Sequence, residues 1–280
     1  MPIKTLFERS AREYLDEERD DGESLWIFVH IPKTAGTSFR SELAATLRPD
    51  RNIFADAGGD QPHHVALADA TRDFIARMET KRYRFASGHL PHALLSLVTN
   101  AVTATRLIVM LRDPVARVTS SYHYQASPTH PPHLAFRARY PNLEDFVDDP
   151  ISQNEMHRYL AIVPDEPVDA LCERVSGTFS FVGLAERYDL SFRLLFALFG
   201  EQRGPSLHLN RGGESRQAPL PPAVAARIRD RNALDAELYE FFRGRYAAVA
   251  ASAWDALNAS ARAADPAAAD PPPRLAARGA

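Results

Sequence analysis

The first strong pattern along the chain is the apolar run "LWIFVHI" at 25–31, short and rich in aromatic and β-branched residues. Such a run predicts a strand buried on both faces, as in parallel sheets. The next segment, "TSFRSELAATL" at 37–47, changes period. Phe39, Leu43 and Leu47 fall at i, i+4 and i+8, on one face of a helix, with Thr37 and Ser38 suited to its first turn. Helical spacing returns at 65–78 through Val65, Leu67, Phe74, Ile75 and Met78. "YRFASGH" (83–89) reads as a second strand, and "PHALLSLV" (91–98) as a helix with a proline near its start. "TRLIVMLRD" (105–113) is the clearest strand, followed by a helix through "PVARVTSSYHYQ" that Asp113 caps and Pro114 opens.

Beyond it the pattern is less regular. "ASPTHPPHLAFRARYP" (126–141) reads as a Pro/His-rich loop, with short helices near 142–149, 153–163 and 167–175. A last strand, "FSFVGLAE" (179–186), precedes a helix at 190–200. A basic, Gly-rich loop, "LNRGGESRQ" (209–217), precedes helices near 221–232 and 233–248. Strands alternating with helices predict an α/β fold, a P-loop-like parallel β-sheet flanked by helices. Ligands bind such sheets beyond the carboxyl ends of the strands. The turns at 31–38 and 112–114 both sit there.

Composition narrows the picture only a little. The 280 residues are 45% hydrophobic and 25% charged, ordinary for a globular protein. A net charge of −3 gives no global pull toward nucleic acid, so any anion site is local. One cysteine, Cys172, excludes an internal disulfide framework and suits a reducing compartment; a cytoplasmic location is the expectation. No stretch reaches the ~18–20 apolar residues of a membrane span. Residues 1–24 are expected as a charged, solvated lead-in, in preference to an amphipathic helix through Leu6, Phe7 and Tyr14, and 25–250 as the folded domain. The Ala/Pro-rich tail, 251–280, is expected to be disordered.

The chemistry concentrates in the two turns. A helix N-terminus presents unpaired N–H groups and partial positive charge, which makes the turn after the first strand an anion cradle. Gly36 permits close backbone approach, Thr37 and Ser38 add hydroxyls, and Lys33 adds a point charge. This is not a Walker A loop, whose lysine directly precedes the Ser/Thr of the helix start. At the second turn, Arg112 presents a planar fork and Ser120 lies about two helical turns on. Two anion sites at neighbouring strand ends suggest a nucleotide with phosphates at two positions.

"HIPKTAGTSF" and "IVMLRDPVARVTSSYHY" resemble the 5′-phosphosulfate loop and the 3′-phosphate segment of sulfotransferases that use PAPS (3′-phosphoadenosine 5′-phosphosulfate). The wording "PKTAGTSF" is similar to the carbohydrate branch, which holds heparan sulfate 2-O- and 6-O-sulfotransferases and bacterial relatives. "ISQNEMHRYLA", "FVGLAERYDLSFRLL" and "NALDAELYEFF" are weaker matches to the same branch.

The resemblance implies a sulfotransferase fold. It makes Lys33, Thr34, Ala35, Gly36, Thr37 and Ser38 the 5′ cradle, with Arg112 and Ser120 on the 3′-phosphate. His89, in "SGH", is implied as the base, although Ser87 stands where 2-O-sulfotransferases have a histidine. Arg211, Ser215 and Arg216 align loosely with a segment that closes over the nucleotide. The implied activity is sulfuryl transfer from PAPS to a hydroxyl-bearing acceptor, a saccharide, without a metal. Lys33 would stabilise the departing phosphate.

Two rival classes are a non-catalytic nucleotide-binding protein and a nucleoside-phosphate kinase. Lys33 together with His89 argues against the first, and the absent Walker lysine position against the second. His63 and His64 are adjacent and cannot form an i, i+4 metal pair, and His130 and His133 lack further zinc ligands nearby. The 126–141 loop, with Arg137 and Arg139, reads equally as an acceptor wall for an acidic glycan or as solvated surface.

Overall fold

The computed structural model describes residues 2–55, 61–206 and 220–264. Its elements run α1 (Lys4–Glu8), α2 (Ala11–Glu17), β1 (Leu25–Val29), α3 (Gly36–Thr46), β2 (Asp50–Ile53), α4 (His63–Met78), β3 (Phe85–Gly88), α5 (His92–Ala101), β4 (Thr105–Leu111) and α6 (Pro114–Gln125). Then come α7 (His133–Arg139), α8 (Leu143–Asp148), α9 (Glu155–Leu160), α10 (Val168–Thr178), β5 (Phe181–Leu184), α11 (Tyr188–Leu198), α12 (Pro222–Arg231) and α13 (Ala233–Ala264).

The five strands form one sheet in the order β2-β3-β1-β4-β5, and every pairing is parallel. The continuous apolar run that predicted β1 is explained by its central place: all five of its residues are buried. The connections out of β1 and β4 lead toward opposite edges of the sheet. Their carboxyl ends therefore flank the crevice where ligands of open α/β sheets bind. Among the described residues, no helix is long and apolar enough to cross a membrane.

Three expectations need correction. The charged segment 1–24 is not a solvated lead-in. Ile3, Leu6, Ala11, Tyr14 and Leu15 are buried in the main core, and Phe7 packs edge-on to Tyr246 at 5.5 Å. The charges there are structural: Glu18 pairs with Arg106, and Asp20 accepts from the Trp26 indole at 2.9 Å.

The tail does not begin at 251 either. Helix α13 runs to Ala264 with Ala253 and Leu257 buried, as the high helix propensity of its alanines allows; residues 265–280 lie outside the described residues. Finally, the segment 126–141 contains α7, whose Phe136 packs with Tyr122, Tyr140 and Phe146.

Two of the weaker sequence motifs meet in a buried interlock. Asp235, at the start of α13, accepts the backbone N–H groups of Met156 (3.1 Å) and His157 (2.8 Å), capping α9. Asn154 and Asn232 complete the joint through Asn154 N–H to Asn232 Oδ1 at 2.9 Å and Asp235 N–H to Asn154 Oδ1 at 3.2 Å. Arg117 reaches the same place from α6, paired with Glu155 and lying 3.7 Å from Asp235. Through these contacts the two motifs hold α6, α9 and α13 together.

Candidate active site

The site is built from the turns at the carboxyl ends of β1, β3 and β4. After β1 the chain turns through Lys33 and Ala35, both left-handed at φ 66°, before α3 begins at Gly36. Non-glycine residues rarely hold that conformation, and each instance costs of order 1–3 kcal/mol. Strain of this kind gathers at ligand clamps. Ala35 is the N-cap of α3 and no side chain caps the helix, so its first turn presents backbone N–H groups at the crevice.

Thr34 is buried and its hydroxyl donates to the Ile31 carbonyl at 2.9 Å. Its side chain therefore braces the loop, and its contribution to a cradle is backbone. Thr37 is exposed and Ser38 is buried. The half-buried Lys33 carries its ammonium 4.2 Å from the centre of the Tyr124 ring on α6.

Packing gives Gly36 a second role beside the close backbone approach expected of it. Its φ is not positive; a Cβ added there would lie 2.2 Å from His30 Cδ2 and 2.4 Å from His30 Nε2. The imidazole of His30 occupies the space where any other residue would put a side chain.

The turn after β4 joins the first directly: Arg112 Nη1 donates to the Lys33 carbonyl at 3.1 Å. Asp113 caps α6 through the Ala116 N–H at 3.0 Å, as its sequence position predicted. The Asp113 N–H donates to Glu186 at 3.0 Å, and Glu186 accepts in turn from the Tyr239 hydroxyl at 3.0 Å. Glu186 and Tyr239, from two of the supporting motifs, thus fasten the Arg112 turn. Ser120 lies on the second turn of α6, half-buried.

After β3 comes His89. Parallel pairing sets Val29 beside Gly88, which brings His30 and His89 side by side, with ring centroids 4.6 Å apart and planes 27° from parallel. His89 Nδ1 lies 2.6 Å from the His30 carbonyl oxygen. A carbonyl only accepts, so Nδ1 carries the proton and the Nε2 lone pair is left available.

Burial is the main cause lowering the His89 pKa below its ordinary 6.5. The bond to the His30 carbonyl raises it, and the nearby His63 lowers it further. The imidazole is therefore neutral at pH 7, the state a general base needs. His30 is pushed down to about 3, by burial first and then by the charges of His89, Arg40 and Lys33.

Sequence reasoning missed the surroundings of Ser87. Its buried hydroxyl accepts from Arg40 Nε at 2.8 Å and donates to Asn52 Oδ1 at 3.0 Å. Strand β2, which carries Asn52, was not foreseen. The structure thus brings together the loop 33–38, Arg112 and His89. Arg211, Ser215 and Arg216 lie outside the described residues. The His130 ring lies 5.1 Å from Tyr124 and His133 Nδ1 lies 2.9 Å from the His130 carbonyl oxygen, while Arg139 pairs with Asp149 and Arg137 is exposed.

No family model matches the chain. Among curated proteins, galactose-3-O-sulfotransferase 3 of Bos taurus is 32% identical over 245 residues, covering 78% of this chain and 56% of the relative. The Homo sapiens protein of the same name is also 32% identical, over 78% of this chain and 55% of its own. The chain thus spans about half the length of the curated relatives it matches. Among solved structures, mouse sulfotransferase SULT7A1 complexed with PAP aligns with 81% of this chain and 71% of its own, at 14% identity and a TM-score of 0.32. The relatives are named for galactose 3-O-sulfation, where the motif wording pointed toward the heparan sulfate enzymes. The chain is thus similar in sequence to named carbohydrate sulfotransferases over most of its own length.

Proposed function

We propose that this chain transfers a sulfuryl group from PAPS to a hydroxyl of a saccharide acceptor. The observation that carries the proposal is the convergence of three neighbouring strand ends. One brings an uncapped helix start and Lys33, one Arg112, and one a neutral imidazole with its Nε2 available.

The residues present fit the donor. The first turn of α3 and Lys33 suit its 5′ side, and Arg112 and Ser120 its 3′-phosphate. PAPS, when bound, supplies a sulfuryl group already activated by its 5′-phosphate leaving group.

In this reading Lys33 neutralises the charge that grows on the departing phosphate, the task that matters most if bond breaking leads. His89 accepts the acceptor hydroxyl's proton at Nε2, while the Nδ1 bond to His30 holds the ring's tautomer and direction. Arg112 ties the two turns, so both phosphate contacts share one frame. The 126–133 stretch forms one wall of the acceptor side, because His130 stands against the Tyr124 ring that also faces Lys33. Arg40 and Asn52, joined through the buried Ser87 hydroxyl, form the other. The proposal includes a cytoplasmic setting. The cysteine usage supports it, with Cys172 buried and its thiol pushed up to about 12, mainly by burial.

The test is transfer of ³⁵S from labelled PAPS to galactose-terminated glycans, heparan-type glycans and simple alcohols, with and without EDTA. Label in a saccharide in the presence of EDTA is the expected result. A strict requirement for a divalent cation would favour a kinase instead. No transfer to any acceptor, with nucleotide still bound, would favour a binding protein.

A further inference from the structure

We propose that His30 is a positioning residue, a rigid spacer that sets the distance between the candidate base His89 and the donor cradle at the start of α3. The inference rests on the sulfotransferase reading for its kinetic consequences, but its structural core stands on geometry alone.

Three surfaces hold the His30 imidazole. Phe28, two residues back on the same face of β1, stacks on it at 5.4 Å with planes 18° apart. His89 stacks on it at 4.6 Å. Gly36 meets its ring edge so closely that no Cβ fits between them. The ring therefore touches the base on one side and the first residue of the cradle helix on another. The residue's backbone adds two fastenings. Its N–H donates to the Gly88 carbonyl at 2.9 Å, and its carbonyl accepts a hydrogen bond from His89 Nδ1 at 2.6 Å. A shift of the ring must move either the base or the cradle.

Its chemistry matches a spacer and not a second acid or base. Burial is the main cause that keeps it uncharged, and the basic groups around it, His89, Arg40 and Lys33, add to that effect. The imidazole stays neutral at working pH and places no charge beside the phosphate. What it contributes is shape, and a flat ring of similar size can supply that.

The test compares His30→Ala with His30→Phe in the full chain. For the alanine variant the spacer role predicts a kcat lower by about 10²-fold, the scale expected of a displacement near 1 Å. PAP affinity by calorimetry should change by less than about threefold. The phenylalanine variant should recover kcat to within about tenfold of the unsubstituted chain. A second readout needs no turnover: ¹⁵N NMR of the histidine rings. His89 should show a single Nδ1–H tautomer in the unsubstituted chain and in His30→Phe, and a mixture in His30→Ala.

Full kcat in His30→Ala would overturn the proposal, as would an unchanged His89 tautomer. A His30→Phe variant as slow as His30→Ala would also overturn it, since a ring nitrogen would then be doing the work. Should the unsubstituted chain neither bind PAP nor transfer sulfate, the sulfotransferase reading fails, and the tautomer comparison still decides the spacer.

Discussion

Substituting Gly36 by alanine tests how tightly the cradle and the base are coupled. The new Cβ would meet His30 Cδ2 at 2.2 Å and Nε2 at 2.4 Å, where ordinary contact begins near 3.4 Å. The ring must retreat by about 1 Å, or the first turn of α3 must lift by as much. Retreat shears the imidazole out of its stacks on Phe28 and His89.

Overpacking of this kind costs about 1–3 kcal/mol. For a domain of this size, that corresponds to a Tm lowered by roughly 2–4 °C per kcal/mol. The catalytic loss should be larger in proportion, about 10²-fold in kcat, since both the donor cradle and His89 are displaced.

Differential scanning calorimetry and steady-state transfer assays give the two numbers. The double variant Gly36→Ala/His30→Ala should regain part of the lost stability, because removing the ring makes room for the methyl. A Gly36→Ala protein with unchanged Tm and kcat would refute the coupling. Equal penalties in the single and double variants would place the clash elsewhere.

The same geometry sets other expectations. Lys33→Ala should lower kcat by about 10²–10³-fold while PAP affinity changes much less, and an unchanged turnover would remove its leaving-group role. kcat/KM should fall as pH drops through the His89 pKa, with a midpoint below 6.5, because burial depresses that pKa and only the neutral ring accepts a proton; a midpoint above 6.5 contradicts this. His30 binds its proton only near pH 3 when folded and near 6.5 when unfolded, so it should make stability rise with pH across that window, and His30→Phe should flatten the slope of Tm against pH. Asp235→Ala leaves the buried Arg117 short of a countercharge and uncaps α9, and chemical denaturation should show a loss of about 3–5 kcal/mol.

Much of the site was legible because its parts are local. The strands β1 and β4 are uninterrupted apolar runs, and the turns after them carry Pro, Gly, Lys and Arg in patterns that need no tertiary information. Asp113 and Pro114 announce the start of α6 by the same local logic.

The hidden parts depend on pairing. "DRNI" forms β2 because β3 offers it a ladder; as an edge strand it has only Ile53 fully buried, so no hydrophobic period marks it. The N-terminal charges looked solvated, yet Glu18 and Asp20 find Arg106 and Arg84 far along the chain. His30 as a single residue reads only as a ring packed beside the loop. Its importance appears only when parallel register puts His89 beside it and the return of α3 puts Gly36 against it.

The central claim is that neighbouring strand ends grip a nucleotide carrying phosphates at both its 3′ and 5′ positions. Isothermal titration with PAP and with 5′-AMP, on the unsubstituted chain and on Arg112→Ala, measures this directly. The account predicts that PAP binds more tightly than 5′-AMP, and that Arg112→Ala removes most of the difference while leaving 5′-AMP binding nearly unchanged. Equal affinity for the two nucleotides in the unsubstituted chain, or no binding of PAP, would contradict it.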